Sequence, residues 1–412
     1  MNSKHINLNI LIITPRIPYP PYRGDKLKVF NIGRELLKNN SVTILTFLRN
    51  RRQLKEIEEL KKHNLNVLFV KISLIESCLN IFKSVFTQLP FQVAWYKSKN
   101  MEKNVNGLIN SGSYDVAYFH LIRSAQYLPN LTEKTLTLKV VDFTDAVSLY
   151  LNRFFSIEKN PVKKIFLGIE KKRIEKYESI ANKFDSVFIC SEADRDYLKK
   201  QGVKANIKIL RNGVDISQFT SEKSEYDHNR IIFTGNMPYY ANYDAAIYFA
   251  KEIFPLVLKE VPDAKFYIVG QDPPFRVRSL ANQRIIVTGF VKDIKAEYLK
   301  SVVNVAPMRF GAGTLNKIIE SLVLGVPVIA TPIAVEGFPE EIKKIINVAS
   351  DSIEFANRVI NFLKTPELRQ KFMEVDKSVV KNMLSWENIV DQFENDLNDE
   401  LEKISRSNPN SP

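Results

Sequence analysis

Residues 230–235 read Arg-Ile-Ile-Phe-Thr-Gly, an apolar run that predicts a buried parallel strand. A long helix is predicted directly after it, over residues 241–260. Because a series of strands and helices already precedes this run, it begins a second series. The sequence therefore predicts an α/β chain with two doubly wound parallel sheets in tandem.

Apolar runs of strand length alternate with helical patterns along the chain. This alternation is typical of βαβ units, whose parallel sheets are covered by helices on both faces. A polar segment at 211–227, which contains Asn212-Gly213, is the predicted linker between the two series. The predicted strands are 9–14, 41–46, 67–70, 116–119, 136–141, 187–190 and 207–210, then 230–235, 264–270, 284–289, 302–306 and 326–330.

The charge balance predicts an anionic partner. The chain has 412 residues, and its 59 lysines and arginines against 46 acidic residues give a formal net charge of +13. Such a charge suits nucleic acid, an acidic lipid surface or phosphorylated ligands. We expect no nucleic-acid partner, because no RRM, KH or helix-turn-helix signature is present. Two cysteines and four histidines show no zinc-ligand spacing, so we also expect no metal.

The sequence predicts a cytoplasmic chain. The N-terminal residues lack a signal-peptide cleavage pattern, and they run from a short apolar core into a proline cluster. The charge-free stretch 321–335 is interrupted by Pro327 and Pro332 and is too short to span a bilayer.

Two regions favour peripheral contact with an anionic membrane surface, on the inner face of the cell membrane. Residues 72–96 are rich in Leu, Ile and Phe, and a second, basic region lies on a predicted helix. The alternative is an ordinary buried helix beside a solvated charged face. The basic residues concerned are Lys97, Lys99 and Lys103, then Lys159, Lys163, Lys164, Lys171, Lys172 and Arg173.

Two loops at strand ends are predicted ligand sites, because parallel α/β sheets bind ligands at the carboxyl ends of their strands. The first loop, 15–26, is proline-rich and places Gly24 at a helix start, where a ligand can approach the backbone. It lacks the GxGxxG fingerprint of dinucleotide-binding proteins. A stiff connector is an equal interpretation of this loop.

The second loop, 309–320, reads RFGAGTLNKIIE and opens a helix. Backbone N–H groups and the helix dipole predict an anion site there, with Lys317 as a point charge. Glu320 follows one turn later and is placed to accept hydrogen bonds from two ribose hydroxyls, although a solvated helix charge is the alternative. The predicted N–H donors lie in the segment that contains Gly311, Gly313, Thr314 and Leu315.

A series of motifs runs along the chain: PYPPYRGDKLKVFNIGRELLKNNSVTILTF (18–47), YDVAYFH (114–120), FDSVFICSEADRDYL (184–198), RNGVDISQF (211–219), FTGNMPYYANYDAA (233–246), FYIVG (266–270), VTGFVKDI (287–294) and GAGTLNKIIESLVLGVPVIATPIAVEGF (311–338). In content and order these motifs resemble the family 4 glycosyltransferases of the GT-B fold, over nearly the whole chain. RGDKLK and the GxxNKxxE helix are similar to the branch of sugar transferases found with bacterial exopolysaccharide systems.

The resemblance implies two Rossmann-like domains that face a central cleft. Residues 1–211 would be the acceptor-side domain and 212–385 the nucleotide-sugar-binding domain. Residues 386–404 would form a terminal helix that crosses back to the first domain, and 405–412 a tail.

The resemblance also implies a reaction. A sugar would pass from a nucleotide-diphosphate donor to a glycan or lipid-linked acceptor, with retention of configuration, no metal and no other cofactor. Glu320 matches the second glutamate of the family's Glu-x7-Glu motif, and Lys317 matches a basic position near the diphosphate. His120 matches a histidine that faces the donor sugar, and Gly24 matches the glycine loop over the donor.

Two departures from the family pattern stand out. The first motif glutamate is replaced by Ala312, so contacts to the sugar hydroxyls would come from backbone N–H groups of the 311–315 loop. After the strand at 231–234 many members carry an arginine and a lysine for the diphosphate, but this chain has Gly235 and Asn236. We expect these two residues to line the donor site and Arg309 to supply the missing cation.

Several aspartates have both a functional and a structural interpretation. Asp142 and Asp145 are expected at a strand's carboxyl end on the acceptor side, where one would help deprotonate an acceptor hydroxyl; loop capping is the alternative. Asp194-Arg195-Asp196 has the Asp-x-Asp form of metal-dependent transferases, but its position after Ser191 favours a helix first turn.

Two other functions remain open from the sequence. The first is a nucleotide-sugar epimerase of the same architecture, which needs no acceptor. The second is a catalytically degenerate protein that binds nucleotide sugar or partner transferases, a hypothesis motivated by the two departures.

Overall fold

The computed structural model describes residues 7–129, 137–217, 225–375 and 377–407. The chain divides into an N-terminal unit, Met1–Arg211 with Ile389–Pro412, and a C-terminal unit, Asn212–Asn388. Parts of three predictions lie outside the described residues: position 136 of the fifth strand, 218–224 of the linker and 408–412 of the tail.

The N-terminal unit contains a seven-stranded parallel sheet, described in the order β3-β2-β1-β4-β5-β6-β7. Its strands are β1 (Asn9–Thr14), β2 (Ser41–Leu48), β3 (Asn66–Lys71), β4 (Val116–His120), β5 (Leu138–Thr144), β6 (Ser186–Ile189) and β7 (Ile207–Ile209). Its helices are α1 (Gly24–Leu36), α2 (Leu54–Lys62), α3 (Leu74–Val85), α4 (Phe91–Ala94), α5 (Lys99–Asn110), α6 (Val147–Ile157), α7 (Pro161–Tyr177) and α8 (Glu192–Lys200).

The strand order of this sheet reverses at β1, which pairs with β2 on one side and β4 on the other. Ligand sites of doubly wound folds lie at such a reversal, outside the strand carboxyl ends. The strands β1 and β4 are nearly wholly buried, as the predicted apolar runs require. The predicted end of β5 is wrong: the strand continues to Thr144, three residues beyond 141, so Asp142 lies inside it.

The C-terminal unit repeats this plan with a six-stranded parallel sheet in the described order β10-β9-β8-β11-β12-β13. Its strands are β8 (Asp227–Thr234), β9 (Lys265–Val269), β10 (Ile285–Gly289), β11 (Ser301–Ala306), β12 (Val328–Ala330) and β13 (Asn347–Val348). Its helices are α9 (Tyr240–Tyr248), α10 (Phe254–Glu260), α11 (Phe275–Arg278), α12 (Ile294–Leu299), α13 (Asn316–Val323), α14 (Pro332–Val335), α15 (Glu340–Lys343), α16 (Ser352–Lys364), α17 (Pro366–Glu374) and α18 (Ser378–Leu384).

The helix predicted over 241–260 is present but not uniform. A π-helical segment, Phe249–Ile253, joins α9 to α10. Pro255 lies in the first turn of α10, where it lacks an N–H group and its ring would crowd the preceding turn. The wider π turn relieves this conflict.

The last helix, α19 (Trp386–Ser407), belongs from Ile389 onward to the N-terminal unit. The Phe393 ring packs edge-on against Tyr118 and Phe188, with centroid distances of 5.5 and 4.9 Å. Lys208 of β7 bonds to Asp396 and Glu400 at 3.1 and 3.0 Å. In the part of the chain that the structure describes, no helix combines the length and apolar character needed to cross a bilayer.

Candidate active site

The carboxyl ends of β8 and β9 pack backbone to backbone. A Cβ atom on Gly270 would lie 1.8 Å from the carbonyl oxygen of Gly235, and one on Gly235 would lie 2.8 Å from Cγ of Asn242. Both positions therefore require glycine. This close packing holds Asn242 of α9 against the loop, where its Nδ2 donates to the carbonyl oxygen of Asn236 at 2.9 Å.

The loop before α13 has polar groups available to a ligand. Gly313 adopts a left-handed conformation with φ of 73°. Leu315, the residue at the helix N-cap, provides no side-chain capping bond. The buried Oγ1 of Thr314 and Oδ1 of Asn316 have no hydrogen-bond partner among the described residues. Since buried polar atoms are nearly always satisfied, these groups indicate a place for a polar ligand.

Lys317 lies in the first turn of α13 and is buried. Its Nζ donates to Oδ1 of Asn242 at 2.7 Å and lies 4.1 Å from the ring centroid of Phe233. Burial lowers the pKa of Lys317 to about 7, against the opposing attraction of Glu320. The neutral amine present near pH 7 is thus poised to gain a proton and become an ammonium group when an anion binds.

Glu320 is half-buried one turn further along α13. Tyr298 donates its hydroxyl to Oε2 of Glu320 at 3.0 Å, and the hydroxyl of Thr234 lies 2.6 Å from that of Tyr298. Burial raises the pKa of Glu320, although the bond from Tyr298 and the charge of Lys317 oppose the rise. The carboxylate is therefore held in one orientation at the end of β8.

Arg309, the cation predicted for the diphosphate, is paired with a carboxylate of α9. Its Nε donates to Oδ2 of Asp244 at 2.9 Å, and its Nη2 forms an ion pair with the other carboxylate oxygen. Its guanidinium also stacks 5.2 Å from the ring centroid of Tyr248. This fork-to-fork pairing with α9 compensates the charge of Arg309 in the structure, and its role toward the diphosphate stays a prediction.

In the N-terminal unit, His120 ends β4 and is 1% exposed. Its Nε2 lies 3.1 Å from the carbonyl oxygen of Asp25, and its Nδ1 lies 3.5 Å from Oδ2 of Asp142. The backbone of α1 thus covers the imidazole. The role of His120 toward a donor sugar stays a prediction.

Of the two acceptor-side aspartates, Asp142 is wholly buried and Asp145 is half-buried. Asp142 pairs with Lys28 at 2.9 Å and accepts the Tyr118 hydroxyl at 2.6 Å. Burial works to raise the pKa of Asp142, but Lys28 and the hydrogen bonds hold it well below its usual range. Burial and the nearby charge of Asp194 raise the pKa of Asp145. The contacts of Asp142 favour a structural role for it, and the expectation that one of the two aspartates deprotonates an acceptor stays a prediction.

Gly24 is exposed at the start of α1, and a Cβ atom placed on it would meet nothing within 4 Å. The fold therefore does not require glycine at this position, and contact with a donor stays a prediction. The following residue, Asp25, forms ion pairs with Arg16 and Arg23.

The Asp-x-Asp sequence has a structural role at its first aspartate. Asp194 is buried in α8, where its N–H and carboxylate both bond to Ser191 and its Oδ1 accepts the backbone N–H of Ala146 at 3.0 Å. Across the described ranges, no cluster of three His, Cys, Asp or Glu side chains could hold a metal ion.

Sequence reasoning missed several residues that build these sites. Asn242 and Asp244 lie within the quoted motif at 233–246, but only the structure shows that they bind Lys317 and Arg309. Tyr298 had no signal, because a tyrosine on a short helix resembles any other core aromatic. Lys28 did have a sequence signal, because it lies within an apolar helical pattern, where a charge needs a buried partner.

Comparison with known proteins agrees with this geometry. Residues 228–365, which contain the glycine pair and all of α13 with Lys317 and Glu320, match the family model described as Glycosyl transferases group 1. Together with the two parallel-sheet units of the GT-B fold, this match identifies the chain as a glycosyltransferase. The fold class and the enzyme class predicted from the sequence are thereby confirmed.

Individual relatives are distant. An uncharacterized 44.6 kDa protein in the cps region of Klebsiella pneumoniae is 24% identical over 373 residues, which cover 86% of this chain and 91% of that protein. The crystal structure of TarM has a TM-score of 0.72 at 14% identity and covers 96% of this chain and 100% of its own. HepE of Anabaena in complex with UDP has a TM-score of 0.67 at 14% identity and covers 95% and 100%.

Proposed function

We propose that the chain is a retaining, metal-independent glycosyltransferase that uses a nucleotide-diphosphate sugar in cell-surface polysaccharide biosynthesis. The observation that carries this proposal is the pair Lys317 and Glu320 on α13, anchored by Asn242 and Tyr298. HepE was solved with UDP, and the Klebsiella relative is encoded in a cps region, so both support the assignment. A glycan or lipid-linked molecule is the proposed acceptor.

The donor would bind across the start of α13. The diphosphate would meet the N–H groups of the 311–315 loop and the ammonium of Lys317, while the ribose hydroxyls would bond to Glu320. The unpartnered hydroxyl of Thr314 would donate to a phosphate oxygen. With Arg309 committed to Asp244, Lys317 is the principal cation that this unit offers to the diphosphate.

Catalysis would be largely electrostatic. As the bond to the sugar breaks, negative charge grows on the leaving diphosphate, and preorganised N–H dipoles with a buried ammonium stabilise it strongly. A transition state with oxocarbenium character does not require a strong protein nucleophile. Ala312 in place of a motif glutamate leaves backbone N–H groups to hold the sugar hydroxyls.

The test is a thermal-shift screen of UDP-, GDP- and ADP-sugars with Glu320→Ala beside the wild type. We expect one nucleotide class to raise the melting temperature of the wild type, because a ligand at a hundred times its Kd stabilises by about 2.7 kcal/mol. Glu320→Ala should lose most of that shift. Glu341→Ala, which removes an exposed glutamate of the same unit, is the matched control.

Product analysis with the nucleotide sugar so identified separates the candidate reactions. Transfer to an acceptor with the donor's anomeric configuration, undiminished by EDTA, is the expected result. Interconversion of the free donor without acceptor would instead assign an epimerase. Binding without hydrolysis or transfer would assign a regulatory protein, and either outcome would contradict the proposed transferase.

We further propose that the enzyme docks on an anionic membrane surface through α3 and α7. Helix α3 buries a polar face, whereas a core helix buries an apolar one: its buried residues are Ser77 and Ser84. Its large apolar residues are exposed, so they cannot serve the core of this unit. They are Leu74, Ile75, Leu79, Phe82 and Val85, and Phe86 follows at the helix end.

Helix α7 continues this apolar surface. Val162, Ile165, Phe166 and Ile169 are exposed, and their spacing of three and four residues places them on one face. Arg173, one turn further on that face, donates to two carbonyl oxygens at the end of α3, those of Ser84 at 2.9 Å and Val85 at 3.4 Å. The two apolar stripes therefore meet at this arginine.

Basic side chains complement an anionic headgroup layer at this surface. Lys163 and Lys164 of α7 lie 4.6 and 4.9 Å from the ring centroids of Phe154 and Phe155. Their ammonium groups lie over these rings, and that of Lys163 also pairs with Glu158 at 2.7 Å, so basic charge and aromatic surface are adjacent, as suits an interface between lipid tails and headgroups. Each lysine near an anionic bilayer contributes about 1 kcal/mol.

We expect Phe82→Ser/Phe86→Ser to weaken binding to vesicles of phosphatidylglycerol and phosphatidylcholine at least tenfold. The two rings touch at 5.7 Å, and burying one phenylalanine is worth about 1.5–3 kcal/mol. Cosedimentation measures the partition, and Phe275→Ser, an exposed phenylalanine of the other unit, is the control. A fluorophore on the exposed Cys78 should shift to the blue on binding, since Cys190 is buried. Equal partition of all three proteins would contradict the surface.

A further inference from the structure

Four arginines of the N-terminal unit collect at the carboxyl ends of its strands. Arg16 follows β1, Arg49 follows β2 and Arg123 follows β4, while Arg23 precedes α1. Parallel strands present their carboxyl ends at one edge of the sheet, so these side chains share a region around the reversal point at β1.

Tyr96 is the centre of this cluster. Arg16 donates from Nε to the hydroxyl of Tyr96 at 2.9 Å. The guanidinium carbon of Arg49 lies 5.2 Å from the ring centroid of Tyr96 and 5.2 Å from that of Trp95. Arg49 thus makes cation–π contacts with two rings, which restrict the position of its guanidinium.

The positive charge of the cluster exceeds its negative charge. Among the described residues, one carboxylate, that of Asp25, forms ion pairs with arginines of this cluster, and its partners are Arg16 and Arg23. Arg123 and Arg49 bond instead to neutral groups, at 3.0 Å to Gln92 and 3.2 Å to Ser77. Four guanidinium groups against one carboxylate leave three charges unmatched.

Two further observations favour binding of an anionic ligand by this cluster. Nη2 of Arg49 is buried and has no hydrogen-bond partner in the described ranges of the chain. Burial, followed by the repulsion of Arg16, lowers the pKa of Arg123. Crowded, half-buried guanidinium groups are costly unless a counter-charge joins them, and their planar forks match phosphate oxygens.

We propose that Arg16, Arg23, Arg49 and Arg123 form a binding site for a phosphate group of a substrate. The substrate assignment rests on the proposed glycosyl transfer, whereas anion binding does not. The phosphate belongs either to the acceptor, which would then be a phosphorylated lipid or glycan, or to the donor diphosphate. In both cases Arg49 and Arg123 supply the uncompensated charge and Asp25 orients the other two.

The test is calorimetric titration of the full chain with pyrophosphate in the absence of any sugar nucleotide. Arg49→Gln and Arg123→Gln should each weaken binding at least tenfold, whereas Arg52→Gln, an exposed arginine three positions from Arg49, should change it less than twofold. Lys317→Met removes the anion site of the other unit and should leave the contribution of the cluster intact. Arg49→Lys retains the charge without the fork and should bind with intermediate affinity.

The source of the phosphate follows from a second titration, with the preferred nucleoside diphosphate already bound. Persistent pyrophosphate binding, with nucleotide affinity equal in wild type and Arg49→Gln, assigns the cluster to the acceptor. Competition, with nucleotide affinity reduced in Arg49→Gln, assigns it to the donor. Pyrophosphate binding that is absent in the wild type, or unchanged in folded Arg49→Gln and Arg123→Gln, overturns the proposal whether or not glycosyl transfer is found.

Discussion

The Lys317→Met variant is expected to lose nucleotide-diphosphate binding by one to two orders of magnitude and yet unfold at a higher temperature than the wild type. The loss follows because Lys317 supplies a charge-assisted contact in a buried site, where such contacts contribute about 1.5–3 kcal/mol. The gain follows because a buried ammonium is costly to hold, and methionine fills a similar volume beside Phe233 without charge. We expect the gain to be roughly 1–3 kcal/mol.

The pKa of Lys317 determines how the stability difference between wild type and Lys317→Met changes with pH. The pKa of Lys317 is about 7 in the folded chain against 10.5 for the free side chain, so the unfolded state binds more protons between these values. Stability of the wild type therefore rises with pH across this window. The advantage of Lys317→Met should be largest at pH 7 and below, and should disappear near pH 10.

Donor affinity should have the opposite pH trend. A bound diphosphate favours the ammonium form, so binding takes up a proton above pH 7, and affinity should fall by up to tenfold per pH unit from there. Calorimetry in two buffers of different ionisation enthalpy, between pH 7 and 9, measures this uptake. Lys344→Met, an exposed lysine of the same unit, should leave affinity, stability and proton uptake unchanged. A nucleotide affinity independent of pH would contradict the role of Lys317.

The fold was predictable because its information is local. A buried parallel strand is an apolar run, and the restart at 230–235 becomes β8, the strand that pairs with both β9 and β11. The positions of Lys317 and Glu320 were also predictable, since a small-residue loop that opens a helix at a strand end specifies its own geometry. Gly235 and Asn236 lie at the loop where the sequence placed them.

The sequence could not specify contacts whose partner residue is distant along the chain. The residues next to Arg309 in the sequence do not indicate an ion-pair partner for it, and only the packing of α9 beside its loop reveals Asp244. Asp142 looked like a strand-end carboxylate until β5 proved longer and Lys28 of α1 met it. Segment 72–96 was recognised as apolar, but helical periodicity could not tell which face of α3 is buried, and the answer is the serine face.

Replacing either partner of the buried ion pair of Lys28 and Asp142 is expected to be strongly destabilising. Asp142→Asn should destabilise the N-terminal unit by about 3–5 kcal/mol, because it keeps the shape of the side chain and leaves the Lys28 ammonium uncompensated. Both side chains are wholly buried and lie 2.9 Å apart. The remaining contact of Nζ with the carbonyl oxygen of Leu210, at 2.8 Å, offers a dipole but no charge. Lys28→Met should cost a similar amount by leaving the carboxylate unpaired.

The double variant Lys28→Met/Asp142→Asn separates charge from packing. Removing both charges should recover much of the loss, so the double variant should be more stable than either single variant. The amide that Asp142→Asn introduces still has an oxygen to accept the hydroxyl of Tyr118 and an NH₂ group for the region of His120. Urea unfolding at pH 7 followed by the N-terminal tryptophan, Trp95, measures all three, with Trp386→Phe introduced throughout so that the other tryptophan is silent. Additive losses would show that the two groups are held by packing rather than by each other.

Since Asp142 has a depressed pKa, its contribution to stability is present above the ordinary aspartate pKa of 3.8 and is lost as the pH falls below it. The wild type should therefore lose stability in acid more steeply than the double variant.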